Sequence, residues 1–210
     1  MFTKTLLPDT LRAIKLVANI PAVKHAYLAG GTSLALQIGH RMSFDLDFFT
    51  QEKFDENLLA TELSQLQTFK EKQRAWATVL GTVGETKFSI FYYKYKIIDD
   101  IIPFEGINLI SKKDIAAMKI HAISDRGVKR DFIDVFFLAK EFSLDQMIDF
   151  YDQKYGLSDD KLYPLIKGLG YFADAEDDKL PEMLVPVDWE EVKNFFLKET
   201  KRLAKEKLNL

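Results

Sequence analysis

The chain has 210 residues, enough for one full domain or for one domain with a helical extension. Hydrophobic residues make up 47% of it and charged residues 29%, which excludes a disordered polyelectrolyte and leaves ample material for a buried core. The formal net charge of -3 makes no global case for nucleic-acid binding, and the absence of cysteine excludes disulfides, thiolate metal sites and a cysteine nucleophile.

The longest apolar runs, such as Val135 to Ala139, are far below the roughly 20 residues a bilayer demands. Met1-Phe2-Thr3-Lys4 lacks the apolar segment of a secretory leader, and a cytoplasmic protein without membrane association is expected. Charge is unevenly spread. Residues 111–140 carry seven Lys/Arg against four Asp/Glu, residues 141–190 four against thirteen, and residues 198–210 five against two. A basic segment beside an acidic one suits either the orientation of a polyanionic substrate or solvated helix faces.

In chain order, Pro8-Asp9 opens a predicted helix to about Asn19, with Leu11, Ile14, Val17 and Ala18 on one side. His25 to Ala29 reads as a short strand ending at Gly30-Gly31, after which Thr32-Ser33 supplies an N-cap for a brief helix, Leu34 to Ile38. Phe44 to Phe49 reads as a second strand, and Asp55 as the cap of a helix to about Gln67. Trp76 to Leu80 and Thr86 to Ile98 read as a hairpin with Gly81 and Gly84 in its turn, followed by a short strand at Ile107 to Ile110.

Beyond this point the pattern becomes helical. Ser111 and Asp114 have capping-box spacing for a helix to about Asp125, ended by Gly127. Further helices are predicted at Arg130 to Glu141, Leu144 to Tyr155, Asp159 to Phe172 and Trp189 to Lys207, with Asp174 to Pro186 as a mobile acidic loop. Strands concentrated in the first half and helices in the second predict an α+β fold.

The chemistry concentrates between Leu28 and Phe49. A strand leads into Gly30-Gly31, a short helix follows, and the next strand carries Asp45 and Asp47. Residues i and i+2 of a strand share a face, so the two carboxylates point one way while Phe44, Leu46 and Phe48 point into the core. Two adjacent carboxylates repel each other unless a cation lies between them, and Mg²⁺ prefers carboxylate oxygens supplemented by water and substrate phosphates. Glycines without Cβ atoms let backbone N–H groups approach a phosphate at a helix N-terminus. Alone, either element is an ordinary tight turn or strand end. Joined at this spacing they make a place for a metal–triphosphate complex.

A second block, Lys119-Ile-His-Ala-Ile-Ser-Asp-Arg126, is followed by Lys129-Arg-Asp-Phe-Ile-Asp134. On a helix, Ile115, Lys119, Ala122 and Arg126 fall within about 60° of one another. Two long cations on a stripe that begins apolar either reach phosphates or, for Lys119, snorkel to solvent. Asp131 shares a face with Val135 and Leu138 and is expected to point inward. Asp134 is open to a plainer interpretation, as a dipole-favoured acid or a salt-bridge partner.

Gly-Gly followed by Asp-x-Asp between apolar residues resembles the nucleotidyltransferase superfamily signature, here with a slightly longer gap. With Gly-Gly-Thr-Ser, Arg41-x-Ser43-x-Asp-x-Asp-Phe-Phe and the second block, the chain is similar over roughly residues 25–140 to the AbiEii toxin-type nucleotidyltransferases. The resemblance implies a nucleotidyltransferase-like α/β core at 1–110 and a helical region at 111–210 contributing to the active site. It implies Asp45 and Asp47 as Mg²⁺ ligands, with Lys119 and Asp131 catalytic. Gly30, Gly31, Thr32, Ser33, Arg41, Ser43 and Arg126 are then expected around the nucleotide. Asp131 would orient Lys119 or act as a base.

The expected reaction moves a nucleotide from an NTP to an acceptor hydroxyl, with a tRNA 3′ end as a candidate acceptor and a DNA-binding antitoxin as a partner. Transfer to a small molecule or a protein side chain, and a catalytically silent NTP-binding module, are the alternatives. One departure stands out: Ser89 occupies the place of a third metal-binding carboxylate, which Asp131 is a candidate to supply.

Overall fold

The computed structural model describes residues 1–208 and divides into two compact units, Met1–Ser111 and a second from Lys112 onward. The first unit contains α1 (Pro8–Val17), α2 (Pro21–Lys24), β1 (Tyr27–Leu28), α3 (Gly30–Ile38), β2 (Leu46–Thr50) and α4 (Glu56–Ser64). It continues with β3 (Phe69–Ala75), β4 (Thr78–Val83), β5 (Thr86–Tyr92), β6 (Ile102–Phe104) and β7 (Ile107–Leu109). The strands form one mixed sheet in the order β3-β4-β5-β2-β1-β7-β6. β2 runs parallel to β5 and β1 parallel to β7, while the remaining neighbours are antiparallel.

Alternation along β2 and β5 divides the sheet into two faces. Leu46, Phe48, Phe88 and Ile90 are wholly buried against the core that Ile14, Val17, Leu59 and Leu63 supply from the helices. Asp47 and Phe49 on β2, and Lys87 and Phe91 on β5, take the other face and are less buried. Burying a large apolar side chain is worth about 1.5–3 kcal/mol, so the inward set dictates which way the intervening polar residues must look.

Several sequence expectations are corrected in this unit. The helix after the first strand begins at Gly30, not Leu34, and Thr32 and Ser33 lie inside it rather than capping it. Its boundary residue is Ala29, and no side chain caps it. Phe44 and Asp45 precede β2 and Phe44 is only half buried, so Asp45 sits just outside the strand. The predicted hairpin is a three-stranded meander: β3 is an edge strand of exposed residues, turning at Trp76-Ala77 into β4. Gly81 lies within β4, where a Cβ would stand 2.5 Å from the Lys70 carbonyl oxygen, and only Gly84 is in the next turn. The strand ends at Tyr92 rather than Ile98. Asp55 does cap α4, accepting from the backbone N–H groups of Asn57 and Leu58.

The second unit holds α5 (Lys112–Asp125), α6 (Lys129–Leu138), α7 (Leu144–Tyr155), α8 (Asp159–Leu169), α9 (Ala173–Glu176) and α10 (Trp189–Lys207). α5 packs against α6, α7 and α8, and α10 against α6 and α8. Phe132 centres an aromatic cluster with Phe172, Trp189 and Phe196. Gly127, at φ +53°, ends the turn after α5. Asp114 is fully buried and its Oδ1 accepts from the equally buried Lys154 at 2.7 Å, tying α5 to α7. Ser143 and Gln146 form a complete capping box at α7. The expected mobile loop begins with α9, and Lys129 holds it by donating to the Glu176 and Asp178 carbonyl oxygens at 3.0 and 2.6 Å. Among the described residues no helix is long and apolar enough to cross a membrane.

Candidate active site

The first unit brings the Gly-Gly bend and the paired acids together. Gly30 has φ +64°, a left-handed conformation that side-chain-bearing residues adopt at a cost, and a Cβ there would sit 3.7 Å from Asp47 Oδ2. Gly31 is glycine for a different reason. A Cβ would fall 2.2 Å from Nη2 of Arg41, whose buried guanidinium fills that space and donates to the Met42 carbonyl oxygen at 3.0 Å.

Thr32 joins α3 to the segment that enters β2. Its hydroxyl contacts Ser43 Oγ at 2.9 Å and donates to the Asp45 carbonyl oxygen at 2.5 Å. Ser33 is fully buried, and Gln37 Nε2 donates to its Oγ at 3.1 Å. Thr32 and Ser33 both enter internal hydrogen bonds, and no side chain caps the backbone N–H groups at the start of α3.

Asp45 and Asp47 flank the buried Leu46 and are both half exposed. Ser89, in register with Asp47 on the parallel strand β5, donates from Oγ to Asp47 Oδ1 at 2.5 Å. Lys87 Nζ stands 3.8 Å from Asp45 Oδ1 with most of its side chain in solvent. Two carboxylates at the surface, with neither histidine nor cysteine beside them, are the donors a hard cation such as Mg²⁺ favours. Among the described residues no group of three or more His, Cys, Asp or Glu could hold a metal ion. The donor set therefore fits a cation that takes its remaining ligands from water and substrate.

The second unit brings together Lys119, Arg126, Asp131 and Asp134. Lys119 is buried and does not snorkel: its Nζ lies 2.7 Å from Asp131 Oδ1 and 2.6 Å from Asp134 Oδ2. Arg126 Nε donates to Asp131 Oδ2 at 3.0 Å and its side chain is half exposed. Both carboxylates are wholly buried. Burial alone would raise the Asp131 pKa, but Lys119 and Arg126 more than offset it and hold the carboxyl below its ordinary value. Both of its oxygens face cations of its own unit, Oδ1 towards Lys119 and Oδ2 towards Arg126.

Of the two plainer interpretations of Asp134, the structure shows the salt bridge, made with Lys119. Sequence reasoning passed over Lys87, two residues before Ser89 and so on the same strand face.

A mixed sheet carrying paired acids next to a Gly-Gly bend is the nucleotidyltransferase fold, and known structures agree. A proposed nucleotidyltransferase from Helicobacter pylori is 22% identical, with a TM-score of 0.55 over 94% of this chain and 92% of that one. MenT4, the nucleotidyltransferase toxin Rv2826c of Mycobacterium tuberculosis H37Rv, is 16% identical, with a TM-score of 0.55 over 92% and 81%. The model of the family described as nucleotidyl transferase AbiEii toxin, of a type IV toxin–antitoxin system, matches residues 16–105 and 95–207. The chain belongs to that family, and it is a nucleotidyltransferase. An uncharacterized protein of Aquifex aeolicus (strain VF5) is 32% identical over 204 residues, 94% of this chain and 97% of that protein.

Proposed function

We propose that the protein transfers a nucleotide from an NTP to an acceptor hydroxyl, with Mg²⁺ held by Asp45 and Asp47, and acts as a toxin opposed by a partner antitoxin. The observation that carries this reading is the approach of the Asp47 carboxylate to the Gly30 bend, which sets an acidic cation site beside a helix N-terminus that can receive phosphate. When bound, the cation would neutralise charge on the triphosphate and align the leaving group. The acceptor oxygen forms its bond to the α-phosphorus, the bond to the β-phosphate oxygen breaks, pyrophosphate leaves, and the hydroxyl proton passes to water.

Each protein group then has a part. Asp45 and Asp47 hold the cation, and Ser89 fixes the rotamer of Asp47 through its hydrogen bond. Backbone N–H groups of Gly31 and Thr32 bind the triphosphate, and Ser33, whose N–H donates to the Ala29 carbonyl oxygen, holds the turn they stand on. Arg41 and Ser43 brace the bend from behind, the first filling the space beside Gly31 and the second bonded to Thr32. In the helical region, which we propose contributes to the active site, Lys119 and Arg126 answer phosphate charge, with Asp131 orienting both.

The acceptor we favour is a tRNA 3′ end, on the strength of family membership. A cytoplasmic location and a DNA-binding antitoxin belong to the same proposal. Mixing the protein with total RNA, Mg²⁺ and each labelled NTP in turn tests it: label should enter small RNA with wild-type protein and not with Asp45→Ala. Undiminished incorporation by that variant overturns the assignment. Label on a small molecule or on protein would redirect the acceptor. Ser89 in place of a third carboxylate favours one rival, a silent NTP-binding module. That rival predicts calorimetric binding of NTP with no turnover on any acceptor.

A further inference from the structure

The residues opposite Asp45 and Asp47 bear on how many metal ions the site takes. Asp45, just before β2, and Asp47, within it, flank buried Leu46, and on β5 Lys87 and Ser89 flank buried Phe88, with Leu46 and Phe88 in register. Four side chains therefore share one patch: two carboxylates at the start of β2, and an ammonium and a hydroxyl from its parallel neighbour. Ser89 is neutral and spends its proton on Asp47 Oδ1 at 2.5 Å, so it adds no anionic ligand where a second ion would need one. Lys87 Nζ, 3.8 Å from Asp45 Oδ1, brings a positive charge to the same edge.

We infer that this site is built for a single divalent cation, and that the Lys87 ammonium stands in for the second. The inference rests on the reading of Asp45 and Asp47 as the metal-binding pair and goes beyond it. Paired ions in two-metal sites lie roughly 3.5–4 Å apart and need bridging or additional anionic ligands to share the space. Two carboxylates, with formal charge of -2, are neutralised by one Mg²⁺. Lys87 already makes the loaded patch positive, and a second divalent ion would meet that charge with no third carboxylate to answer it. Among the described residues no cluster of three or more potential metal ligands offers an alternative. Lys87 is largely solvated, so its pairing with Asp45 is weak by itself, and the ammonium can turn towards triphosphate when substrate arrives.

Metal counting on the full chain tests this without reference to turnover. Equilibrium dialysis with Mn²⁺, alone and with inorganic pyrophosphate (the product common to all four NTPs), gives the stoichiometry. Electron paramagnetic resonance distinguishes an isolated ion from a coupled pair. The wild type should saturate at one Mn²⁺ per chain and show the six-line spectrum of an isolated ion. The double variant Lys87→Ala/Ser89→Asp should take up a second ion and show a spin-coupled spectrum. Two coupled ions in the wild type overturn the inference, as does a folded double variant that stays at one. No bound Mn²⁺ in the wild type, or binding unaltered by Asp45→Asn with Asp47→Asn, removes the underlying assignment of the metal-binding pair instead.

Discussion

Asp45 and Asp47 in the first unit, and Asp131 and Asp134 in the second, are aspartate pairs of similar spacing with opposite environments. The first pair is half exposed, and its polar neighbours on β5 are a hydroxyl and a solvated ammonium. The second pair is wholly buried around Lys119, with Arg126 closing on Asp131. An acid left at a surface beside a glycine bend keeps oxygens available for a ligand. An acid sunk among cations has exchanged that availability for rigidity. The same residue type thus stands open to a ligand in one unit and locked among cations in the other, and partners rather than spacing decide which.

Five substitutions probe this contrast. The largest effect is expected from Asp45→Ala or Asp47→Ala. Transfer from labelled NTP should fall by roughly a thousandfold, the scale of losing a group that stabilises developing charge, while the thermal midpoint moves little. A large loss of stability with activity retained per folded molecule would reverse the contrast. Next comes Asp134→Ala, which leaves the buried Lys119 short of one carboxylate. Breaking a buried pair costs about 3–5 kcal/mol, readable by urea denaturation, and a change under 1 kcal/mol would show the pair to be dispensable.

Gly30→Ala should cost about 1–2 kcal/mol through the left-handed backbone alone, since the added methyl meets only Asp47 Oδ2 at ordinary contact distance. Its activity should fall further than its stability because that methyl enters the site, and equal effects on both would argue against phosphate approach at this bend. The smallest effect concerns pH. The Asp131 carboxyl is held below its ordinary value of 3.8 in the folded chain, so its stabilisation is present above that value and is lost as pH falls through the folded one. Asp131→Asn should therefore flatten the decline of stability below about pH 4. An unchanged acid limb would mean that the cations do not lower this carboxyl.

Much of the site was legible because it is local. Gly30, Gly31, Asp45 and Asp47 lie within one strand–turn–helix–strand passage, where the turn places the glycines and the strand period places Asp47, with Asp45 just ahead of β2. What escaped was long-range. β3 has no apolar alternation, and it becomes a strand only because β4 offers it a ladder. Thr32 reads as a cap from sequence because its partners Ser43 and Asp45 are more than ten residues away. The α+β class survived these misses, since it depends on where strands and helices are concentrated along the chain.

The exposed outer strand has a consequence for handling the protein. Lys70, Glu71, Lys72 and Arg74 set three cations and one anion along an edge whose outward backbone groups would otherwise invite strand addition from another copy. Mixed charge makes an intruding strand of the same sequence hard to align, so this border of the sheet discourages aggregation. Replacing Lys70 and Lys72 by valine would create a sticky β-rich ribbon, and preparations of that variant should cloud at concentrations where the parent stays clear.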